Sequence, residues 1–224
     1  MLCPACGQDN PANARFCSHC GAIQTTAARS SVSASQESLS TPESEHPTKP
    51  PEPFGFKVGM TKAQVIQLVG QQSVLKDDGD TLELNSAPAP HEDFNVYTVS
   101  ASPTAGIVQV IALSKDIETN VYGETLRAKF NGLKDALSKK YGSPTNFFDF
   151  LGEGSIWSEP RDWMAGLAKK ERTLSAYWKA KGDVAVSLEA FASSEEGGFL
   201  MIQYQYPNFA DWVREYEEGR NSSL

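Results

Sequence analysis

All four cysteines of this chain fall within its first twenty-one residues, as two identical pairs, Cys3-x-x-Cys6 and Cys17-x-x-Cys20, each followed at once by a glycine, Gly7 and Gly21. A Cys-x-x-Cys turn sets two thiolates on one side of a tight loop. Two such turns facing each other build the closed, tetrahedral sulfur site that Zn²⁺ prefers. The glycines suit the sharp turn behind each pair, where backbone N–H groups point back at the sulfurs. So short a segment cannot bury enough apolar surface to fold alone. Metal binding, about 10–16 kcal/mol in small zinc modules, then supplies the fold. Chelation is expected to unfold this segment and leave the rest of the protein intact.

Other uses of four cysteines fit less well. Two disulfides need an oxidising compartment, yet Cys3 stands two residues behind Met1 with no room for a secretory signal, so a reducing cytoplasm is the expectation. A redox dithiol would leave the second matched pair unexplained. Four thiolates close the coordination shell, which makes the expected zinc structural rather than catalytic. His19, between Cys17 and Cys20, is the one rival ligand, and the spacing of its neighbours turns it outward. The expected ligands are Cys3, Cys6, Cys17 and Cys20.

The run Cys3-Pro4-x-Cys6-Gly7, with Asn10 and then Phe16-Cys17-x-x-Cys20-Gly21, resembles the short zinc ribbons found at the start of many prokaryotic proteins. The resemblance covers residues 1–21. It implies zinc ligation and no particular activity, because such ribbons sit on proteins of very different roles.

A net charge of −8 and a pI near 5.0 argue against a phosphate-binding surface, since nucleic-acid binders need clustered Lys and Arg. The ribbon itself carries only Asp9 and Arg15. No stretch approaches the roughly 18 consecutive apolar residues of a membrane span. From Ala22 to Pro53 the sequence turns to Ser, Thr, Ala, Pro and Glu, a composition that cannot offset its ordering entropy. Residues 22–53 are therefore expected to form a disordered linker with a reach of about 30 Å, in which His46 is inert.

Residues 54–224 read as a globular α+β domain. Thr61 and Gln64 stand at capping-box spacing with Met60 and Val65 in staple positions, and Gly70 is placed to end the helix. Strands are expected at Thr81–Asn85, Phe94–Ala101 and Gly106–Ser114. A second helix from near Tyr122 to Tyr141 carries Leu126, Phe130, Leu133, Leu137 and Tyr141 on one face. An insertion around Phe147–Lys170 holds a short helix with Trp163, Met164 and Leu167 inward. Strands at Leu174–Ala180, Val184–Ala192 and Phe199–Tyr206 follow, then a helix from Asn208. The expected product is two helix-plus-three-strand units, their helices covering one face of an antiparallel sheet.

The segment Gly59-Met60-Thr61-Lys62-Ala63-Gln64-Val65, with Val69-Gly70 after it, resembles the opening of SmpA/OmlA-type lipoproteins, and the tandem order is similar to the β-lactamase-inhibitory-protein architecture. The chain has no lipoprotein signal and places Gln72 where a proline is common in the first family. Both resemblances imply a protein-binding fold without catalysis.

Chemistry is sparse in this domain. His91-Glu92-Asp93 is a solvated loop, its three neighbours pointing different ways. Gly152-Glu153-Gly154-Ser155 lacks the lysine of a phosphate loop and the context of a nucleophile elbow, so a turn is expected. Asp77-Asp78 and Glu195-Glu196 belong to solvated turns. Trp157, Trp163, Trp178, Tyr204, Tyr206 and Trp212 are expected mainly to fill the core, with partner anchoring as the rival use. Two functional expectations stand side by side: a zinc-binding adaptor that docks another protein, and an enzyme with a carboxylate site served by the ribbon as a handle. Converging Asp, Glu or His91 in a deep pocket would mark the second, and a shallow sheet face with exposed aromatics the first.

Overall fold

The computed structural model describes residues 49–221. The four cysteines, His19, His46 and the linker up to residue 48 lie outside the described residues. Where description begins, the chain is already packed on the domain: Pro51 and Pro53 are buried, and the Tyr206 hydroxyl donates to the Pro51 carbonyl at 2.9 Å.

The capping box forms as read. The Gln64 N–H donates to Thr61 Oγ1, and the Thr61 N–H donates to Gln64 Oε1 at 2.9 Å. This starts α1 (Lys62–Val69), whose Val65 is fully buried, and Gly70 at φ +84 ends it. Four strands follow: β1 (Val74–Asp78), β2 (Thr81–Leu84), β3 (Phe94–Ser102) and β4 (Gly106–Ser114). After the two-residue β5 (Ile117–Glu118) comes α2 (Glu124–Tyr141), which stops at Gly142 with φ +87. The second half adds β6 (Asn146–Leu151), α3 (Trp163–Ala168), β7 (Arg172–Ala180), β8 (Val184–Ala192), β9 (Gly197–Gln205) and α4 (Phe209–Asn221).

The strands make one antiparallel sheet in the order β1-β2-β3-β4-β9-β8-β7-β6, with β5 pairing β9. Each half is a helix followed by a meander, and the two halves meet where β4 pairs β9, Val110 opposite Tyr204 and Ala112 opposite Ile202. The class is α+β as expected, but each unit has four principal strands rather than three. The added strands are the outermost ones, β1 and β6. Neither shows the apolar-polar alternation of a half-buried strand, because an edge strand buries so little of either face. Phe147–Leu151, expected inside an insertion, is β6, and Asp77 and Asp78, expected in a turn, lie in β1.

Alternation sorts the inner strands into two faces. Leu82, Leu84, Tyr97, Val99 and Val110 project to one side of the first half, and Trp178, Val186, Leu188, Ile202 and Tyr204 continue that layer in the second. Leu126, Phe130 and Leu137 of α2 and Trp163, Met164 and Leu167 of α3 close over it. Each such side chain contributes roughly 1.5–3 kcal/mol on burial. Burial also raises the hydroxyl pKa of Tyr204 and Tyr206 well above the ordinary tyrosine value, with Tyr141 adding to the shift at both.

The expectation that helices cover a single face holds for α1, α2 and α3 and fails for α4. Trp212 donates to Asp80 in the β1–β2 turn at 3.1 Å. Lys76, which shares a sheet face with its partner Glu83, feels both Glu83 and Tyr216. The terminal helix thus crosses the opposite face of the first half, where Ser100 and Gln109 are buried. The amphipathic pattern of α4 was legible, but its target was not, because periodicity does not say which of two sheet faces a helix will cover.

Candidate functional site

With α4 spent on the first half, no helix among the described residues covers the corresponding face of the second half. Register places Phe148 and Phe150 of β6 on it, beside Ser175 and Tyr177 of β7 and Ser187 and Glu189 of β8. Phe148 packs edge-on against Phe150 and Tyr177, with centroids 6.1 and 5.9 Å apart, yet remains 39% exposed, and Phe150 is 50% exposed. Further in, Phe191 and Phe199 stack at 5.2 Å across β8 and β9. Tyr177 donates to Glu189 Oε1 at 3.3 Å.

Of these residues, Tyr177, Ser187 and Glu189 line a groove of about 360 Å³ that also takes in Lys179, Gln203 and Gln205. Lys179 and Asp183 pair at 2.8 Å at its rim; the shared hydrogen bond raises the lysine pKa and lowers the aspartate pKa. Ser175 is 1% exposed, and its hydroxyl has no hydrogen-bond partner among the described residues. The face thus combines large, incompletely buried rings with paired polar side chains and one buried, unpartnered hydroxyl.

The residues singled out from sequence fall differently. Trp163, Trp178, Tyr204 and Tyr206 are buried, and Trp157 and Trp212 are half-buried, so the core reading holds for the first four. The exposed rings among the described residues include Tyr122, Tyr216 and a cluster, Phe147, Phe148 and Phe150, which sequence reasoning passed over. The signal was there, since three phenylalanines in a four-residue run with one aspartate match no buried helix face. His91 sits half-exposed, its Nδ1 accepting the Asp93 N–H at 3.2 Å. Ser155 turns the chain before Trp157, donating through its N–H to the Gly152 carbonyl and accepting the Trp157 N–H.

A second concavity, of about 650 Å³, lies where β5 and α2 approach the loop after His91, with Glu92, Asp93, Asp116 and Glu118 on its wall. Two of its carboxylates are already engaged: Lys129 pairs Asp93 at 2.7 Å, and Ser193 donates to Asp116 at 3.0 Å. Among the described residues, no three His, Cys, Asp or Glu side chains converge as a metal site.

A family model for the zinc-ribbon domain matches residues 2–23, the stretch that contains both cysteine pairs. No curated protein and no solved structure matches the chain, so the likeness of residues 59–70 to the lipoprotein family, and of the tandem order to the inhibitory protein, gains no support. No helix among the described residues is long and apolar enough to cross a membrane.

Proposed function

We propose that the protein is a zinc-binding, non-enzymatic interaction protein that works in the cytoplasm. Cys3, Cys6, Cys17 and Cys20 hold one structural ion, and the uncovered face of β6–β9 docks another protein. The donor set fits the metal: four soft thiolates at two-residue spacing match Zn²⁺ in number and type. Zinc supplies shape to the ribbon and leaves no position for a reacting water. The observation that carries the docking half is the group of Phe148, Phe150 and Tyr177 beside a polar groove on a face that no described helix covers. Two binding modules on one chain raise each other's effective concentration to about millimolar when both engage one target.

Elemental analysis of the purified chain is expected to give one zinc per protein, and Cys17→Ser to lose it, while far-ultraviolet circular dichroism of the α+β domain survives chelation. Partner capture by wild type, Cys17→Ser and Phe191→Ser, with identical partners on all three, would remove both docking modules from the reading. The rival reading, a carboxylate-based enzyme with the ribbon as handle, draws on the acidic cleft. It would gain if Asp116→Asn abolished a turnover found in wild type while leaving every partner in place.

A further inference from the structure

Strand β6 ends the sheet, and no strand among the described residues pairs with its outer flank. The Gly152 N–H donates to the Glu171 carbonyl at 2.7 Å, which fixes the alternation of the β6–β7 ladder. Counting back in twos, Phe150 and Phe148 bond inward to β7, and the N–H and C=O groups of Phe147, Asp149 and Leu151 point away from the sheet. No backbone group among the described residues bonds to them. A row of this kind takes one sort of ligand, an extended chain laid alongside it.

We infer that the chain laid there is β6 of a second copy, pairing antiparallel about a two-fold axis. The strand is extended, apolar and self-complementary, so a single contact satisfies both bare flanks. Charge selects the register. With Asp149 opposite Asp149 of the second copy, like charges face each other. A slide of two residues places Phe147 opposite Asp149 of the second copy and Phe148 opposite its own counterpart. In that register the incoming carboxylate arrives on the helix side of the sheet, where the Lys134 ammonium stands 4.7 Å from the centre of the Phe147 ring. Two symmetric ion pairs form there, and the Phe148 rings meet on the uncovered face. The far edge, β1, is bulged and charged, so growth stops at the pair instead of running on as a filament. The dimer joins the two uncovered faces into one platform. It rests on the β6 backbone and does not depend on whether that platform takes a partner.

The test uses the full chain in sedimentation velocity and light scattering over a roughly hundredfold concentration range. Wild type is expected to dimerise. Asp149→Pro removes an outward donor and spares the β7 ladder, and it should raise the dimer dissociation constant by at least about tenfold. Asp149→Lys should weaken association, and Asp149→Lys with Lys134→Asp should restore it. Should Asp149→Pro fail to fold, Phe148→Glu reads the same contact by setting two carboxylates against each other on the axis. A wild-type monomer at every concentration, or a dimer that survives both Phe148→Glu and Asp149→Lys, overturns the inference. Phe191→Ser, away from the edge, changes partner capture without changing association state, which separates this result from failure of the docking surface.

Discussion

Strands β1 and β6 occupy equivalent places: each follows its unit's first helix, each is the outermost strand, and each pairs with the next strand of its meander. Their chemistry is opposite. β1 reads Val-Leu-Lys-Asp-Asp, breaks register at a bulge after Val74, and is tied by Lys62 to Asp77 and to the Gly79 carbonyl. β6 reads Asn-Phe-Phe-Asp-Phe-Leu, pairs with β7 without a bulge, and holds three half-exposed rings. Bulges and charge are how sheets refuse further strands. One edge of this sheet is shut by those means and the other is not, and the terminal helix likewise covers one half and spares the other. Both differences leave the second half with more open backbone and apolar surface than the first among the described residues.

The comparison can be broken most forcefully through the helix side of β6. Phe130, fully buried and 6.4 Å from Phe147, supports that strand from below, and Phe130→Ala should cost about 3–5 kcal/mol in a urea titration. If the halves differ as described, amide exchange should speed up most in β6 and β7; uniform loss across the sheet would erase the distinction. A smaller effect is expected from Thr61→Ala, which removes the cap of α1 and should cost about 1 kcal/mol, with faster exchange in β1 and none in β6. Smallest is Lys62→Gln. The pair with Asp77 is partly exposed, so stability should drop by less than about 1 kcal/mol. The sharper readout is the β1 edge itself, whose amides should lose protection. If they do not, bulge and backbone alone keep it shut.

Much of this fold was legible because its signals are local. Thr61 and Gln64 announce a helix start within four residues, and the α2 stripe of Leu126, Phe130 and Leu137 is set by the helical period alone. Strands β4 and β8 begin and end where the pattern placed them, at Gly106–Ser114 and Val184–Ala192. The cysteine spacing is local too, so a metal could be named from the sequence. What stayed hidden depends on neighbours far along the chain. Whether Phe148 is core or surface turns on β6 being last in the sheet, and whether a face is bare turns on where a helix some sixty residues later comes to rest.

The seam between β4 and β9 has a consequence in time. β4 is synthesised about ninety residues ahead of the strand that will flank it, a wait of roughly 5–20 s at ordinary translation speeds. Throughout that interval Val108, Val110 and Ala112, destined for the middle of the molecule, have one unguarded flank. The Lys and Asp residues that protect the finished outer border on β1 lie three strands away and give no shelter there. The nascent first half is thus most exposed to mispairing at its future centre, and a message truncated before codon 197 leaves that flank open for good.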